Sequence, residues 1–162
     1  VNGVSKTYAM TGLRIGYLAT DNMDIVKATT NIQSQSTSNP SNTAQAAAVE
    51  ALVGPQSEVS EMRAIFQRRR DLIIDLINQV PGLSVIKPHG AFYAFVNISK
   101  FIGKPNVSSS IDFASYLLEK HHVACVPGAP FGSDDHIRLS FATSEDIISE
   151  GIQRIKTACA EL

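Results

Sequence analysis

The sequence predicts a fold of the α/β or α+β class, in which helices and strands pack as layers around a hydrophobic core. Three observations predict it. Apolar residues recur at helical spacing in some segments, they alternate as in strands in others, and segments of the two kinds follow one another along the chain. The 162 residues show no internal repeat, and this length fits one ordinary domain, or a small domain joined to a piece of another.

The first part of the chain is predicted to contain one strand and two helices. Residues 13–20, LRIGYLAT, are expected to form a buried strand because they are apolar and bounded by turn-forming residues. Residues 23–36 have a helical pattern. A second helix is expected to be capped by Ser41 or Asn42 and to end near residue 52, before a Gly-Pro pair.

The rest of the chain is predicted as a long helix, two paired strands, a second helix, two short strands and a final helix. The long helix carries apolar side chains at three- and four-residue spacing, and at about 1.5 Å per residue it could bridge two domains. The final helix is expected to bury Ile147 together with Ile148, Ile152 and Ile155. The expected ranges, in order, are 57–80, 83–86, 91–98, 110–121, 123–126, 137–141 and from Ser144 onward, and Ser110 is expected to cap the helix over 110–121.

The charge composition gives no reason to expect a nucleic-acid or membrane partner. The 14 basic and 15 acidic residues leave a net charge of -1, and no apolar run approaches the roughly 20 residues of a membrane-spanning helix. The single basic cluster, Arg68 to Arg70, lies within the long helix and is expected to be its solvated face.

The cysteines and histidines are not spaced as metal ligands, so no metal site is expected. Cys125 and Cys159 are most simply free thiols in a reducing compartment, which favours a cytoplasmic protein. The four histidines, at positions 89, 121, 122 and 136, are expected in turns or at the surface. Because the chain begins at Val1 rather than at a methionine, we expect its true N-terminus to lie upstream.

Three cationic residues could carry chemistry. Lys6 precedes the predicted buried strand, where loss of solvent would favour its neutral, nucleophilic form, although position alone favours an ordinary exposed loop lysine. Arg14 and Arg138 lie among apolar residues, in LRIGY and HIRLSFA. Each could hold an anion with its planar donor fork, and each could also point to solvent or form an internal ion pair.

Four motifs in order along the chain resemble the class I, fold-type-I aminotransferases that depend on pyridoxal 5'-phosphate, in particular the prokaryotic-type aspartate aminotransferase branch. The first is S-K-x-x-x-M-x-G-x-R-x-G-Y, residues 5–17. The others are QSQSTSNPSNTAQAAAVEAL, PHGAFYAFVNIS, and VPGAPFG followed by IRLSFA, at 33–52, 88–99, 126–132 and 137–142.

The resemblance implies a role for each of the three cations. Lys6 would form the Schiff base with the cofactor and then move a proton at the substrate α-carbon. Arg14 would pair with the cofactor phosphate, which suits a permanently charged donor fork. Arg138 would hold the substrate α-carboxylate and so orient the substrate over the cofactor ring.

The resemblance also implies a homodimer with a shared site. Ser38 and Asn39, followed by Pro40, fall where the family places a loop near the neighbouring subunit's active site. Phe92 falls where the family has an aromatic residue beside the substrate. A turn or core role fits each of these positions equally well.

The same resemblance implies that the chain is the C-terminal portion of a longer enzyme. Residues 1–56 would be the last piece of the large cofactor-binding domain, with a fragment of its sheet, and 57–162 the connecting helix and small domain. The expected activity is amino transfer from an L-amino acid, aspartate, to a 2-oxo acid, with this fragment alone inactive. A C–S lyase or aminocyclopropane-carboxylate synthase of the same fold, or a non-catalytic aminotransferase-like module, remains an alternative.

Overall fold

The computed structural model describes residues 1–162 and divides them into two compact units, Val1–Met62 and Arg63–Leu162. This division falls within a helix, whereas the predicted domain boundary lies between residues 56 and 57. None of the helices is both long enough and apolar enough to cross a lipid bilayer.

The first unit consists of a small two-stranded sheet and three helices. Strands β1 and β2 are antiparallel, and their register pairs Asn2 with Tyr17 and Gly3 with Gly16. A short 3-10 helix, Thr11–Leu13, precedes β2. The elements, in chain order, are β1 (Asn2–Gly3), α1 (Val4–Thr7), β2 (Gly16–Tyr17), α2 (Met23–Ser36) and α3 (Asn42–Val53).

The prediction of a buried strand over residues 13–20 is wrong in both length and burial. Only Gly16–Tyr17 is a strand, because Leu13 belongs to the 3-10 helix and Arg14 has left-handed backbone angles (φ 53°, ψ 51°) that interrupt an extended chain. Leu13, Tyr17 and Leu18 are each more than a third exposed. Their exposure follows from the sheet, in which the two-residue β1 is the one neighbour of β2.

The two predicted helices of this unit are confirmed, and each begins at a capping side chain. The Asn22 side chain accepts hydrogen bonds from the backbone N–H groups of Asp24 and Ile25, and Ser41 accepts one from Ala44. α2 has no buried residue, and α3 buries only Ala44 and Ala48. Small side chains bury little apolar area, so this unit has only a small core of its own.

The second unit is built on an antiparallel sheet with the strand order β3-β4-β6-β5. The predicted strand pair is confirmed, since β3 and β4 pair through Ser84 with Asn97 and Val85 with Val96. The first helix, α4, begins before the unit boundary. The elements, in chain order, are α4 (Ser57–Asn78), β3 (Ser84–Val85), β4 (Tyr93–Asn97), α5 (Ser110–His121), β5 (Val126–Pro127), β6 (His136–Ser140) and α6 (Glu145–Glu161).

One face of this sheet and the apolar faces of three helices form the core. The alternation along β4 and β6 buries one set of residues, and the helices cover it with residues at three- and four-residue spacing. Core members include Ala94, Val96, Ile137, Leu139, Ile73, Ile77, Phe113, Leu117, Ile148, Ile152 and Ile155. Ile147, which was expected on this face, is 58% exposed, because it lies about 100° around the helix from Ile148.

Two local predictions in this unit need correction. Ser109 caps α5 by accepting a hydrogen bond from the N–H of Asp112, and Ser110, the expected cap, is the first helical residue and fully buried. The Arg68 to Arg70 cluster is solvated only at Arg68. Arg69 lies 5.6 Å from the ring centre of Phe66, and Arg70 pairs with Asp71 at 2.9 Å, so both arginines are partly withdrawn from water.

Candidate active site

Lys6 lies in the one-turn helix α1, which directly follows β1. Val4 is fully buried and fixes the start of this turn. The N–H of Ala9 donates to the Lys6 carbonyl at 3.2 Å, and Ala9 itself has a positive φ of 53°. The side chain of Lys6 is exposed, so the loss of solvent expected from the sequence does not occur in this chain.

Arg14 lies close to the lysine turn in the fold, because the pairing of β1 with β2 joins the two segments. Thr11 connects them further. Its hydroxyl donates to the Ser5 carbonyl at 3.0 Å, and its own carbonyl accepts a hydrogen bond from Arg14 Nη1 at 3.1 Å. Arg14 is exposed and has a strained left-handed backbone, a combination that recurs at functional sites.

Arg138 projects from the face of β6 opposite the core, since its neighbours Ile137 and Leu139 are buried. Its guanidinium carbon lies 4.3 Å from the ring centre of Tyr93 and 4.6 Å from that of Phe131. Both distances are within cation–π range. No carboxylate of the chain pairs with this guanidinium, and no hydrogen bond occupies its N–H groups.

The two rings reach Arg138 from different elements, and we call Tyr93 and Phe131 the aromatic pair. Tyr93 is on β4, where Phe95 stands directly opposite Arg138 and Tyr93 is diagonal to it on the same face. Phe131 ends the 3-10 helix Ala129–Phe131, and Gly132 follows with a φ of 81°. The rings of Phe95 and Phe131 meet edge to face at 6.2 Å.

Phe92 adjoins this site. Its ring centre is 4.4 Å from that of Tyr93 and 6.3 Å from that of Phe66, and its carbonyl accepts a hydrogen bond from the N–H of Phe141 at 2.9 Å. Ala91 before it has a positive φ of 58°. This arrangement places a half-buried ring beside the face that carries Arg138.

Ser38 and Asn39 lie in the exposed link between α2 and α3. Ser38 has a positive φ of 63°, and the Asn39 side-chain amide donates to the Pro40 carbonyl at 3.0 Å. These contacts are local, so within the chain the two side chains belong to a turn.

The structure thus brings Lys6 and Arg14 together in the first unit, and Arg138 and Phe92 together in the second. Sequence reasoning missed the aromatic pair. The alternation of Tyr93 with Phe95 along the strand indicates that both lie on the face opposite the core, but it does not show that an arginine of another strand lies beside them. Phe131 carries no signal in sequence, because a Pro-Gly-rich turn does not reveal which strand it will touch.

Fold and site define the class of protein to which this chain belongs. It is a member of the family described as aminotransferase class I and II, whose sequence pattern matches residues 1–155.

Among individual proteins, the chain is similar to aspartate aminotransferases of known sequence. It is 47% identical to that of Rhizobium meliloti (strain 1021), with 100% of this chain and 40% of the relative covered. It is 46% identical to the aspartate/prephenate aminotransferase of Cereibacter sphaeroides, over 99% of this chain and 41% of that protein. The chain therefore spans about 40% of the length of the relatives it matches.

Solved structures agree with this assignment. The crystal structure of the Rhizobium meliloti aspartate aminotransferase matches with a TM-score of 0.92 at 47% identity, covering 98% of this chain and 41% of that one. The alanine aminotransferase of Pyrococcus furiosus matches with a TM-score of 0.87 at 30% identity, covering 99% and 42%. The fold is accordingly that of part of a fold-type-I aminotransferase.

Proposed function

We propose that these residues form the C-terminal part of an aminotransferase that moves an amino group from L-aspartate to a 2-oxo acid with pyridoxal 5'-phosphate as cofactor. The observation that carries this proposal is the state of Arg138. Its guanidinium is fixed between two rings, and its donor groups are left without an acceptor from the chain. Such a group suits a carboxylate supplied by a ligand.

Arg138 would bind the substrate α-carboxylate through two parallel N–H···O bonds. The aromatic pair restricts the swing of the guanidinium plane, so less side-chain entropy is lost when the carboxylate binds. A carboxylate held in this way fixes the orientation of the α-carbon. Phe92, whose ring packs against the core and adjoins Tyr93, would contact the substrate side chain.

Lys6 and Arg14 fit a phosphorylated cofactor. Arg14 uses Nη1 to hold the Thr11 carbonyl, and its other N–H groups and permanent charge would hold the phosphate dianion. When bound, pyridoxal phosphate supplies an electron-accepting ring that stabilises negative charge at the substrate α-carbon. Lys6 Nζ would hold the cofactor and then take and return the proton of that carbon.

The remaining parts of the proposal rest on the family and on the sequence. Residues 1–56 would belong to the large domain and 57–162 to the connecting helix and small domain. Ser38 and Asn39 would approach the site of the second subunit in a homodimer. Aspartate is proposed as the donor because several relatives at 46–47% identity are named aspartate aminotransferases. The unpaired thiols of Cys125 and Cys159 agree with a cytoplasmic location.

The test is to express a full-length aminotransferase that contains this sequence, load it with pyridoxal phosphate and treat it with sodium borohydride. Reduction attaches the cofactor permanently to the amine that holds it, and peptide mapping then identifies that amine. We expect the label at Lys6, and amino transfer from aspartate that Lys6→Ala abolishes. A label on another lysine would refute the assignment of Lys6. A labelled enzyme that releases ammonia or sulfide without forming a new amino acid would refute the transferase reaction.

A further inference from the structure

We propose that Ser110 and Asp134 are positioning residues for carboxylate binding, and that they act by fixing the loop that holds Phe131 against Arg138. This inference rests on the proposed role of Arg138 as the carboxylate-binding group. It assigns a function in substrate affinity to two side chains that touch neither Arg138 nor its aromatic pair in any recorded contact.

Ser110 is the one fully buried polar residue of the chain, and both hydrogen bonds of its hydroxyl lead to the loop 128–135. Its hydroxyl donates to Asp134 Oδ1 at 2.6 Å and accepts from the N–H of Ala129 at 3.1 Å. Its backbone N–H donates to the same Asp134 oxygen at 2.9 Å. A buried hydroxyl with this set of partners is costly to disturb, because each partner would be left unsatisfied.

Asp134 gains from the position of Ser110 in α5. Ser110 is the first residue of a 12-residue helix, so the carboxylate accepts one of the N–H groups that the first turn leaves unused. The positive end of the helix dipole favours a negative charge there. The loop 128–135 is therefore attached to α5 by hydrogen bonds at both ends of its sequence, at Ala129 and at Asp134.

The loop is closed internally in a way that leaves little alternative geometry. The N–H of Gly128 donates to the His136 carbonyl at 2.8 Å, and the N–H of Phe131 donates to the Gly128 carbonyl at 2.8 Å. A Cβ on Gly128 would lie 2.2 Å from the Ser133 carbonyl oxygen, so the two sides of the loop are in close contact. A displacement at either attachment is consequently passed on to Phe131.

Phe131 itself has little else to hold it, since its side chain is half exposed and its recorded ring contacts are Arg138 and Phe95. If the loop detaches from α5, the ring leaves one face of the guanidinium open. Arg138 then adopts orientations that do not present two N–H groups to a carboxylate. The affinity for the carboxylate therefore falls, although the charge of the site is unchanged. Tyr93 still covers the other face, so the loss is partial.

A purely structural role for these residues predicts something different. Asp112 lies in the same first turn of α5, and its carboxylate accepts hydrogen bonds from the Ser108 backbone and hydroxyl, with no contact to the loop 128–135. If the cap of α5 matters only for stability, Asp112→Ala and Asp134→Ala should have similar consequences. If the proposal is right, only Asp134→Ala should weaken carboxylate binding.

The experiment measures the Kd of succinate, an unreactive dicarboxylate, by calorimetry on the cofactor-loaded full-length enzyme. The variants are Asp134→Ala, Asp134→Asn, Asp112→Ala, Phe131→Leu and the Asp134→Ala/Phe131→Leu double variant. We expect Asp134→Ala to raise Kd about fivefold, the size of a lost cation–π contact. Asp134→Asn retains the acceptor oxygen and should stay within about twofold. Asp112→Ala should lower Tm and leave Kd unchanged.

The double variant tests whether Asp134→Ala raises Kd by displacing Phe131. If Asp134 acts through Phe131, adding Asp134→Ala to Phe131→Leu should not raise Kd further, which is the non-additivity expected of coupled residues. An unchanged Kd in Asp134→Ala, or an equal rise in both backgrounds, would overturn the proposal. Arg138→Leu separates this failure from that of the proposed function: if it binds succinate as well as the parent does, the carboxylate role of Arg138 is itself wrong.

Discussion

Replacement of Arg138 by lysine is the sharpest test of its proposed role in binding the substrate carboxylate. Lysine retains the positive charge and a long side chain, so the overall field at the site is preserved. It loses the planar fork, whose two parallel donors match the two oxygens of a carboxylate. A compact ammonium also packs less fully between the rings of Tyr93 and Phe131, which lie 4.3 and 4.6 Å from the guanidinium carbon.

The expected loss of activity can be estimated from the interactions that Arg138→Lys removes. One charge-assisted hydrogen bond contributes about 1.5 to 3 kcal/mol, and a cation–π contact at an exposed site about 0.5 to 1 kcal/mol. Together these correspond to about 2 to 4 kcal/mol, or a decrease of roughly 30- to 1,000-fold in kcat/KM. Because the carboxylate is bound before and during the reaction, much of the decrease should be a rise in KM.

The assay is steady-state transamination with aspartate and 2-oxoglutarate by the full-length enzyme, with the absorbance of the bound cofactor as an independent measure of loading. Arg68→Lys is the matched control, because Arg68 is an exposed arginine of the same unit whose ion pair with Glu145 is long, at 3.7 Å. It should leave both constants unchanged. The reasoning is refuted if Arg138→Lys keeps its KM for both substrates while cofactor loading stays complete.

Four further outcomes are expected. Gly128→Ala should destabilise the second unit by about 1 to 3 kcal/mol or more, because the new Cβ would lie 2.2 and 2.5 Å from backbone oxygens. Gly151→Ala, in α6 with open space around it, should stabilise the unit by about 0.5 to 1 kcal/mol. Thermal unfolding measures both changes. Burial raises the pKa of Cys125 to about 11 and that of Cys159 to about 12, so at pH 8.5 iodoacetamide should react with Cys125 roughly 100-fold and with Cys159 roughly 1,000-fold more slowly than with an exposed cysteine. The thiols ionise at a lower pH in the unfolded chain than in the folded one. Their contribution to the unfolding free energy should therefore be fully present below pH 9 and be lost as the pH rises toward 11 to 12, which denaturation measured at a series of pH values would detect. The 162 residues alone should neither retain pyridoxal phosphate on gel filtration nor transaminate, since Lys6 and Arg14 are exposed in them; a cofactor absorption band that persists would contradict this.

The helices were the most predictable part of the fold, because their caps and apolar spacing are local signals. Asn22 and Ser41 precede helices that begin as expected, and Ser144 accepts a hydrogen bond from the N–H of Ile147 at the start of α6. The strand predicted over 13–20 failed because burial of a strand depends on neighbours that periodicity does not reveal.

The sequence motifs single out candidate site residues, but they do not show which side chains surround them in the fold. Lys6, Arg14 and Arg138 were proposed from spacing and family resemblance, and their roles stay predictions. The aromatic pair was not, since Phe131 reaches Arg138 only because the turn at residues 128–135 folds over the end of β6. Ser110 was misassigned for a related reason: two adjacent serines both qualify as a helix cap, and only the fold buries one of them.

Arg138 and Lys6 differ in how completely their own unit surrounds them. Around Arg138, a four-stranded sheet with its own core fixes the strand, and the aromatic pair and the attached loop fix the side chain. Around Lys6, a two-stranded sheet and a core of little more than Val4, Ala44 and Ala48 leave the side chain exposed. If the proposed roles hold, carboxylate recognition depends on the fold of the second unit, whereas the surroundings that would let Lys6 act as a proton carrier must come from groups packed around it. Substitutions in the second unit should accordingly change substrate affinity while the cofactor stays bound.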